Sequence, residues 1–344
     1  MMTQGVNFYL IDAETRHQIF IQRFAGGVYK DVEPVLKRLK KDIFARLSVE
    51  TDQDLIYRMR LLNADLDDIF LAQNAAFGMS ITNKLEQLAE YEVGFQARLL
   101  GSVVSVETAR PTIEQVLSSV TSKKVSLISG NRRESLTIED LVEKFFKSKS
   151  QTIQNAIAAG VIEGMPTDKI IKNVTTSIDK RIMREAEALV RTVTNHCATT
   201  ARAETMRSNA DILEGDRFIA TLDARTTITC AGFDGKVFPL DEGPIPPLHY
   251  NCRSTRIPVV KSVFQLPGFD GERPQKGDDG PGVTSGKTTY NSFLKRQSSE
   301  FQNEVLGPER AKLFRSGMNV DRFTDPQGRV YSLEELKAMD ERFN

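Results

Sequence analysis

The chain has 344 residues, enough for two or three domains, and 40% of them are hydrophobic, which supports a sizeable core. Lys plus Arg equals Asp plus Glu at 46 each, which excludes a general electrostatic attraction to DNA or to acidic membranes. Three cysteines cannot pair fully and are typical of a reducing compartment, and neither a signal peptide nor an apolar run of membrane-spanning length is visible. We therefore expect a soluble protein made in a cytoplasm.

Residues 1–148 are predicted to form a helical N-terminal region. Apolar residues recur at helical spacing in the stretches 31–47 and 83–100, and polar residues fill the other faces. Such amphipathic helices pack their apolar faces against partner helices. The helical pattern weakens near Pro111, which cannot continue a helix.

The next stretch is predicted to hold a short capped helix over residues 137–147, followed by a helix, a turn and another helix. Thr137, followed by Asp140 three residues later, is the pattern of a helix N-cap. Gly160 and Gly164 indicate a turn, and Pro166 suits the first residues of the following helix. The sequence here therefore predicts a helix, a glycine-rich turn and a second helix.

A long helix is predicted over residues 181–213, where apolar residues keep helical spacing. At Gly215 the character changes, and three short strands are predicted at 217–222, 236–240 and 253–260. We therefore expect a small β-containing unit appended to helices.

The C-terminal part is predicted to be a linker followed by a helical tail. Glycine and proline are so frequent in residues 265–287 that a Gly/Pro-rich linker or irregular loop is expected. Residues 288–344 are predicted to be a helical tail, with two helices separated at Gly307 and a last helix over 332–343 that Ser332 caps. The predicted fold class is α+β and predominantly helical, with long N-terminal helices, a small β-containing unit and a short helical tail.

Three residues around the stretch "PIPPLHYNCRS" are candidate metal ligands. Cys230, His249 and Cys252 carry the sulfur and nitrogen atoms that zinc prefers, and His249 and Cys252 are three positions apart. A structural zinc site normally has four ligands, and the sequence does not choose a fourth. The candidates for the fourth ligand are His196, Cys197 and Asp234.

Two catalytic interpretations are weaker. A nucleophilic site would need Cys230 or Cys252 with His249 as base and Asp223 to orient it, but no nucleophile-elbow pattern is present. A phosphate-binding loop would need glycine at the position of Pro281, so nucleotide binding is not expected.

A fourth interpretation treats the segment as a scaffold held by internal polar contacts. Asp223 and Arg225 are close enough to hold a turn, and Asp234 with Gly235 is a strong tight-turn signal. Arg253 can bind the carboxylate of Asp223 or Asp234 through two hydrogen bonds. A small β unit has a thin core and benefits from such contacts. The sequence favours this scaffold without bound zinc.

The same residues resemble the signature of the phage Mu protein F-like family. The order D-x-R-T, then C, then D-G, then P-P-x-H-x-x-C-R is specific, and the resemblance extends over about residues 150–320. Relatives often carry a second Cys shortly before the position of Cys230, whereas this chain has only "RTTITC" there. The matching positions are Asp223, Arg225, Thr226, Cys230, Asp234, Gly235, Phe238, Pro246, Pro247, His249, Cys252 and Arg253.

The resemblance implies a structural protein of phage head morphogenesis, with a family-like domain over residues 149–264. Such minor head proteins enter the procapsid in few copies, associate with the portal protein inside the head, and in some phages assist DNA delivery. The implied partners are the portal protein, a major capsid or scaffolding protein, and packaged DNA. The implied location is the virion after assembly in the host cytoplasm. No catalytic centre is implied, so we expect a protein that is not an enzyme.

The alternative is a metal-dependent hydrolase built on a zinc site at Cys230, His249 and Cys252. A DNA-binding module is a lesser alternative, because residues 168–217 hold nine basic and eight acidic side chains and so form no basic stripe. The hydrolase interpretation fails if no zinc copurifies with the protein and His249→Ala leaves folding and phage yield intact.

Overall fold

The computed structural model describes residues 5–130 and 132–339, without the side chains of residues 56 and 57. The described chain is α+β and predominantly helical, as predicted. The helices are α1 Gly5–Leu47, α2 Asp52–Tyr57, α3 Met59–Gly101, α4 Ile113–Ser122, α5 Ile138–Ile162, α6 Thr167–Ser177, α7 Met183–Arg207, α8 Ile228–Phe233, α9 Tyr290–Lys295, α10 Ser299–Leu306, α11 Pro308–Arg315 and α12 Leu333–Ala338. The strands are β1 Val125–Ser129, β2 Arg132–Leu136, β3 Leu213–Ile219, β4 Leu222–Asp223, β5 Val237–Phe238, β6 Thr255–Val260, β7 Glu272–Gly277 and β8 Gly280–Ser285.

The chain divides into two compact units. Unit 1 comprises the described parts of residues 1–22, 88–135 and 195–344, and unit 2 comprises residues 23–87 and 136–194. The predicted division at residues 148, 264 and 287 followed changes of sequence character along the chain. The compact units instead join segments that are far apart in the sequence, and such long-range packing leaves no local signal.

The N-terminal helices bury the predicted apolar faces. Leu36, Leu39 and Leu47 are fully buried on α1, and Leu88 is buried on α3. The two helices are longer than the predicted stripes, and α1 continues through Pro34. The amphipathic pattern thus identified the buried faces but not the ends of the helices.

Unit 2 contains α5 and α6 with the predicted N-cap. The Thr137 side chain accepts a hydrogen bond from the Asp140 backbone N–H at 3.1 Å, and α5 begins there. The prediction that Gly160 lies in a turn is wrong, because Gly160 is inside α5. A Cβ at Gly160 would lie 2.7 Å from Cγ1 of Ile170 on α6, so the glycine permits close packing of the two helices. The turn itself uses Gly164, with φ of +68°.

Helix α7 is shorter than the helix predicted over residues 181–213. It ends at Arg207, and a π-helical turn, Ile178–Ile182, precedes it. Leu213 already belongs to β3, where it pairs with Val260 of β6. The pairing with β6 overrides the local helical pattern.

Unit 1 contains three small sheets. The order β5–β3–β6 is antiparallel throughout, and every residue of β6 is buried. In the second sheet, β4 pairs in parallel with β7, and β7 pairs antiparallel with β8. Strands β1 and β2 form a two-stranded sheet within the region that was predicted to be helical. The predicted strands around residues 217–222, 236–240 and 253–260 correspond to β3 with β4, to β5 and to β6.

The segment 265–287 is not an irregular linker, contrary to the sequence-based prediction. It contains the hairpin of β7 and β8, whose turn includes Gly280 with φ of +87°. Composition misled here because glycine and proline are frequent in loops, while strand pairing depends on partners elsewhere in the fold. The side chain of Arg273 on β7 binds Asp234, as described below with the site.

The C-terminal tail packs around an apolar cluster with members from α9, α10 and α11. Gly307 separates α10 from α11 as predicted, whereas the single helix predicted before Gly307 is divided into α9 and α10. Ser332 caps α12, and its side chain accepts a hydrogen bond from the Glu335 N–H at 3.2 Å. The last four residues of the helix predicted over 332–343 lie outside the described residues. The cluster includes Leu222, Tyr290, Phe293, Leu294, Phe301, Leu306, Phe314 and Phe323.

Glu204, near the end of α7, gives a pH-dependent contribution to stability. Burial raises its pKa, but hydrogen bonds from Arg207, Ser119 and Lys123 outweigh burial and lower the pKa from 4.5 to about 2. Because the folded-state pKa is depressed, the stabilisation is present above 4.5 and disappears as pH falls towards 2. We expect Glu204→Gln to lower the free energy of unfolding by about 2 kcal/mol at about pH 7, and by much less at about pH 3.

Urea unfolding of the wild type and Glu204→Gln at both pH values measures this effect. Glu90→Gln, which changes an exposed glutamate on α3, is the control and should have little effect at either pH. A loss for Glu204→Gln that is equal at both pH values would contradict the assigned role.

Candidate functional site: a Cys–His cluster and its polar supports

The site in unit 1 begins with helix α8, which places Cys230. The Thr227 side chain accepts a hydrogen bond from the Cys230 backbone N–H at 3.3 Å and so caps the helix. Cys230 is buried in an apolar cluster with Phe218, Phe233 and Leu248. The short helix and its cap therefore fix the direction of the thiol.

The turn before β6 places His249 and Cys252. The Cys252 N–H donates to the His249 carbonyl at 3.1 Å, and Asn251 between them has a φ of +59°. The side chain of Asn195, on α7, donates to the carbonyl oxygens of Cys252 and Ser254. The turn is thus anchored to α7.

The side chains of Cys230, His249 and Cys252 lie close together. Sγ of Cys230 lies 3.3 Å from Nε2 of His249 and 3.8 Å from Sγ of Cys252. All three candidate ligand atoms lie within 4.8 Å of one another. Both cysteines are fully buried, and His249 is partly exposed. The cluster therefore borders the surface on its histidine side.

The two nitrogens of His249 have different partners. Nδ1 lies 2.9 Å from the Tyr250 carbonyl oxygen, which can only accept, so Nδ1 carries a proton. Nε2 faces the Cys230 thiol and lies 3.2 Å from the hydroxyl of Thr227. The nitrogen that points into the cluster is the one able to present a lone pair.

The pKa values of the two cysteine thiols are shifted in opposite directions. A hydrogen bond to Cys252, together with burial, raises the pKa of Cys230 well above its ordinary value. Burial also raises the pKa of Cys252, but hydrogen bonds with Cys230 and His249 outweigh it and hold this pKa well below the usual range. Burial lowers the pKa of His249, and the interaction with Cys252 more than compensates. A proton is therefore lost more readily from Cys252 than from Cys230.

Asp223 and Arg253 form the predicted two-point ion pair. The guanidinium donates to both carboxylate oxygens, at 2.5 and 2.7 Å. The Arg225 backbone N–H and the Thr226 hydroxyl also donate to Asp223, whereas the Arg225 guanidinium is exposed. Burial raises the pKa of Asp223, but Arg253 outweighs it and the pKa lies below its ordinary value. This ion pair therefore links the turn after β4 to the chain segment just after Cys252.

Asp234 forms a second buried centre. Its carboxylate accepts from the backbone N–H groups of Ala220 and Tyr290, at 2.7 and 2.6 Å. Arg273 of β7 donates to both of its oxygens, at 2.6 and 3.0 Å. The next residue, Gly235, has a φ of +84°, as the predicted tight turn requires. Asp234 thus joins the motif to the β7–β8 hairpin and to α9.

Several predicted members do not join the Cys–His cluster. Among the described residues the cluster has three ligands, so His196, Cys197 and Asp234 do not supply a fourth. Asp223 does not orient His249, because Arg253 binds Asp223 and the Tyr250 carbonyl accepts from His249. The proposed nucleophile, base and acid arrangement is therefore not formed. Pro246 and Pro247 are buried and joined by a cis peptide bond.

Sequence reasoning missed three important residues. Thr227 was detectable, since Thr at an N-cap followed by apolar residues is a helix-start signal. Arg273 lies in the segment interpreted as a linker and gave no signal. Tyr290, whose hydroxyl donates to the Asp223 carbonyl oxygen at 2.9 Å, was read only as part of a helical tail.

The described helices do not include one that is both long and apolar enough to cross a membrane.

Searches among curated proteins and among solved structures gave no match. Residues 151–257 match the family described as Phage Mu protein F like protein, and all the motif positions lie within that range. The resemblance noted beyond residue 257 stays a prediction. The chain is therefore similar to the phage Mu protein F-like family over residues 151–257, which is less than half of its length.

Proposed function

We propose that the chain is a structural minor head protein, which enters the procapsid in association with the portal protein. The family match over residues 151–257 carries this proposal. The proposed location is the interior of the head near the portal after assembly in the host cytoplasm. A major capsid or scaffolding protein and packaged DNA are the further partners that the proposal allows.

The polar residues of the motif support a structural role. Asp223 and Asp234 are each bound by an arginine and by neighbouring donors, so neither carboxylate is available as a general base. Their contacts connect β3, β4, α8, the turn before β6, the β7–β8 hairpin and α9. Such contacts fix a shape, and a fixed shape is what a component of a symmetric assembly requires.

The hydrolase alternative depends on the Cys–His cluster alone. His249 has no carboxylate to orient it, and its Nδ1 is taken by a backbone carbonyl. The motif carboxylates Asp223 and Asp234 are held by arginines, so neither can assist a metal-bound water as a general base. We therefore propose a protein without enzymatic activity.

The test is quantitative mass spectrometry of procapsids and virions from the phage that encodes the chain. Heads assembled without the portal protein are the matched control. We expect the chain in wild-type procapsids, in fewer copies than the major capsid protein, and depleted from portal-less heads. Absence from both procapsids and virions would refute the head role. Full incorporation without portal would refute the portal association.

A comparison of full virions with particles that have ejected their DNA tests a role in DNA delivery. If the chain assists delivery by leaving the head, its amount per capsid should fall after ejection. An unchanged amount assigns it to the head alone.

A further inference from the structure

We propose that Cys230, His249 and Cys252 bind one zinc ion, with a water molecule as the fourth ligand. Zinc binding goes beyond the head role proposed above, since a minor head protein needs no metal. The sequence favoured a cluster without zinc because a fourth protein ligand was missing. The geometry of the three ligands changes that preference.

The separations fit a tetrahedral zinc ion. Zinc–sulfur bonds of ~2.3 Å and zinc–nitrogen bonds of ~2.0 Å at tetrahedral angles place two sulfurs about 3.8 Å apart and sulfur and nitrogen about 3.5 Å apart. The Cys230 and Cys252 sulfurs are 3.8 Å apart, and the Cys230 sulfur lies 3.3 Å from Nε2 of His249. All three candidate ligand atoms lie within 4.8 Å of one another, so small side-chain rotations would let them share one ion.

The surroundings of His249 are those of a metal ligand. Zinc-bound histidines donate their other ring N–H to a carboxylate, a backbone carbonyl or water, which fixes the ring and its tautomer. Nδ1 of His249 makes this contact with the Tyr250 carbonyl at 2.9 Å. Nε2 is consequently held towards the two sulfurs.

Charge balance also favours zinc at this buried position. One zinc ion with two thiolates and a neutral imidazole carries no net charge, which limits the cost of burial. The adjacent Asp223–Arg253 pair is neutral as well. On binding, any thiol that still carries a proton releases it to solvent, and zinc takes the place of the hydrogen bonds within the cluster.

The fourth position faces a small pocket that opens to solvent. Thr227, Arg225 and Ser254 line it together with Cys230 and His249. The nearby carboxylates of Asp223 and Asp234 are held by arginines, so a water molecule is the available fourth ligand. The Thr227 hydroxyl, 3.2 Å from Nε2 of His249, can hydrogen-bond to that water.

Elemental analysis of the full chain is the first test, after purification without chelators and without a metal-binding tag. We expect one zinc per chain for the wild type and loss of zinc in Cys252→Ser and in His249→Asn. Cys197→Ala changes the third buried thiol, which lies outside the cluster, and should retain zinc. Zinc that survives in both cluster variants, or is lost equally in the control, would overturn the assignment.

A second test uses only the wild type, so it does not depend on whether the variants fold. The apo chain, reduced and free of metal, is titrated with Co²⁺. We expect saturation at one equivalent, with a thiolate-to-cobalt charge-transfer band and the intense visible bands of tetrahedral cobalt, followed by displacement by Zn²⁺. Failure of the reduced chain to bind Co²⁺ and Zn²⁺, or isolation of the chain with a Cys230–Cys252 disulfide in place of zinc, would refute the proposal.

Discussion

Replacement of Arg273 by methionine is expected to lower the free energy of unfolding by about 3–5 kcal/mol, because it leaves a buried carboxylate without its counter-charge. Arg273 and Asp234 are both almost completely buried, and the guanidinium also donates to the carbonyl oxygens of Ala220 and Thr288. The substitution therefore leaves one charge and two carbonyl groups without their donor. The β7–β8 hairpin should also loosen, since Arg273 joins β7 to Asp234.

Urea unfolding with a tyrosine fluorescence readout measures this loss. Arg296→Met is the matched control. Arg296 is exposed and donates a hydrogen bond to the side chain of Thr284 on the hairpin. The free energy of unfolding should therefore fall by less than ~1 kcal/mol in this variant. Asp234→Asn combined with Arg273→Met removes the unpaired charge and should recover part of the stability. Equal losses for Arg273→Met and the control would contradict the role assigned to this ion pair.

Arg202→Met is expected to have an effect of similar size, again about 3–5 kcal/mol. Its guanidinium lies 3.0 Å from a Glu14 oxygen and 2.8 Å from a Glu92 oxygen, and all three side chains are fully buried. His17 is 2.5 Å from the other oxygen of Glu92. Without Arg202, two buried carboxylates would lie close together without the guanidinium that balances their charge.

The pH dependence of the Arg202 effect provides an internal check. Burial is the largest influence on the pKa of both Glu14 and Glu92 and raises it, while Arg202 lowers it. Removing Arg202 should therefore raise both folded-state pKa values, so the variant loses stability as pH rises above the ordinary glutamate value of 4.5. Unfolding of Arg202→Met and of the exposed control Arg98→Met at about pH 4.5 and about pH 7 measures this. A deficit that does not grow with pH would contradict the assigned electrostatic role.

The helices of this protein follow from local sequence features. Thr137 and Ser332 were recognised as N-caps from the acidic residue three positions later, and the structure has both caps. Leucine stripes identified the buried faces of α1 and α3. These signals depend on residues within one or two turns of a helix, which is why sequence alone contains them.

Buried polar contacts between distant segments were not predictable. Glu92 lies in a stretch whose polar residues were expected on the surface, yet it is fully buried against Arg202 of α7. Arg273 is separated from Asp234 by a segment with loop-like composition. Arg253 and Asp223, by contrast, lie within one motif, and their pairing was expected. A charged residue is predicted to be exposed unless its partner is known, and the tertiary fold determines that partner.

The candidate site was predicted in its membership but not in its chemistry. The proximity of Cys230, His249 and Cys252 followed from the motif, while the protonation of Nδ1 and the 3.8 Å separation of the sulfurs required the structure. Those two features support the proposal that these side chains are zinc ligands. The head role and the zinc site are independent, since either can hold without the other.

The most direct measurement of the head role is electron microscopy of particles made by a phage with a stop codon at Gln18, with and without the wild-type chain supplied from a plasmid. We expect the mutant to lyse its host normally while producing aberrant or non-infectious heads, and the plasmid-borne chain to restore infectious particles. Normal numbers of intact, infectious virions from the mutant without the plasmid would contradict a role in head morphogenesis.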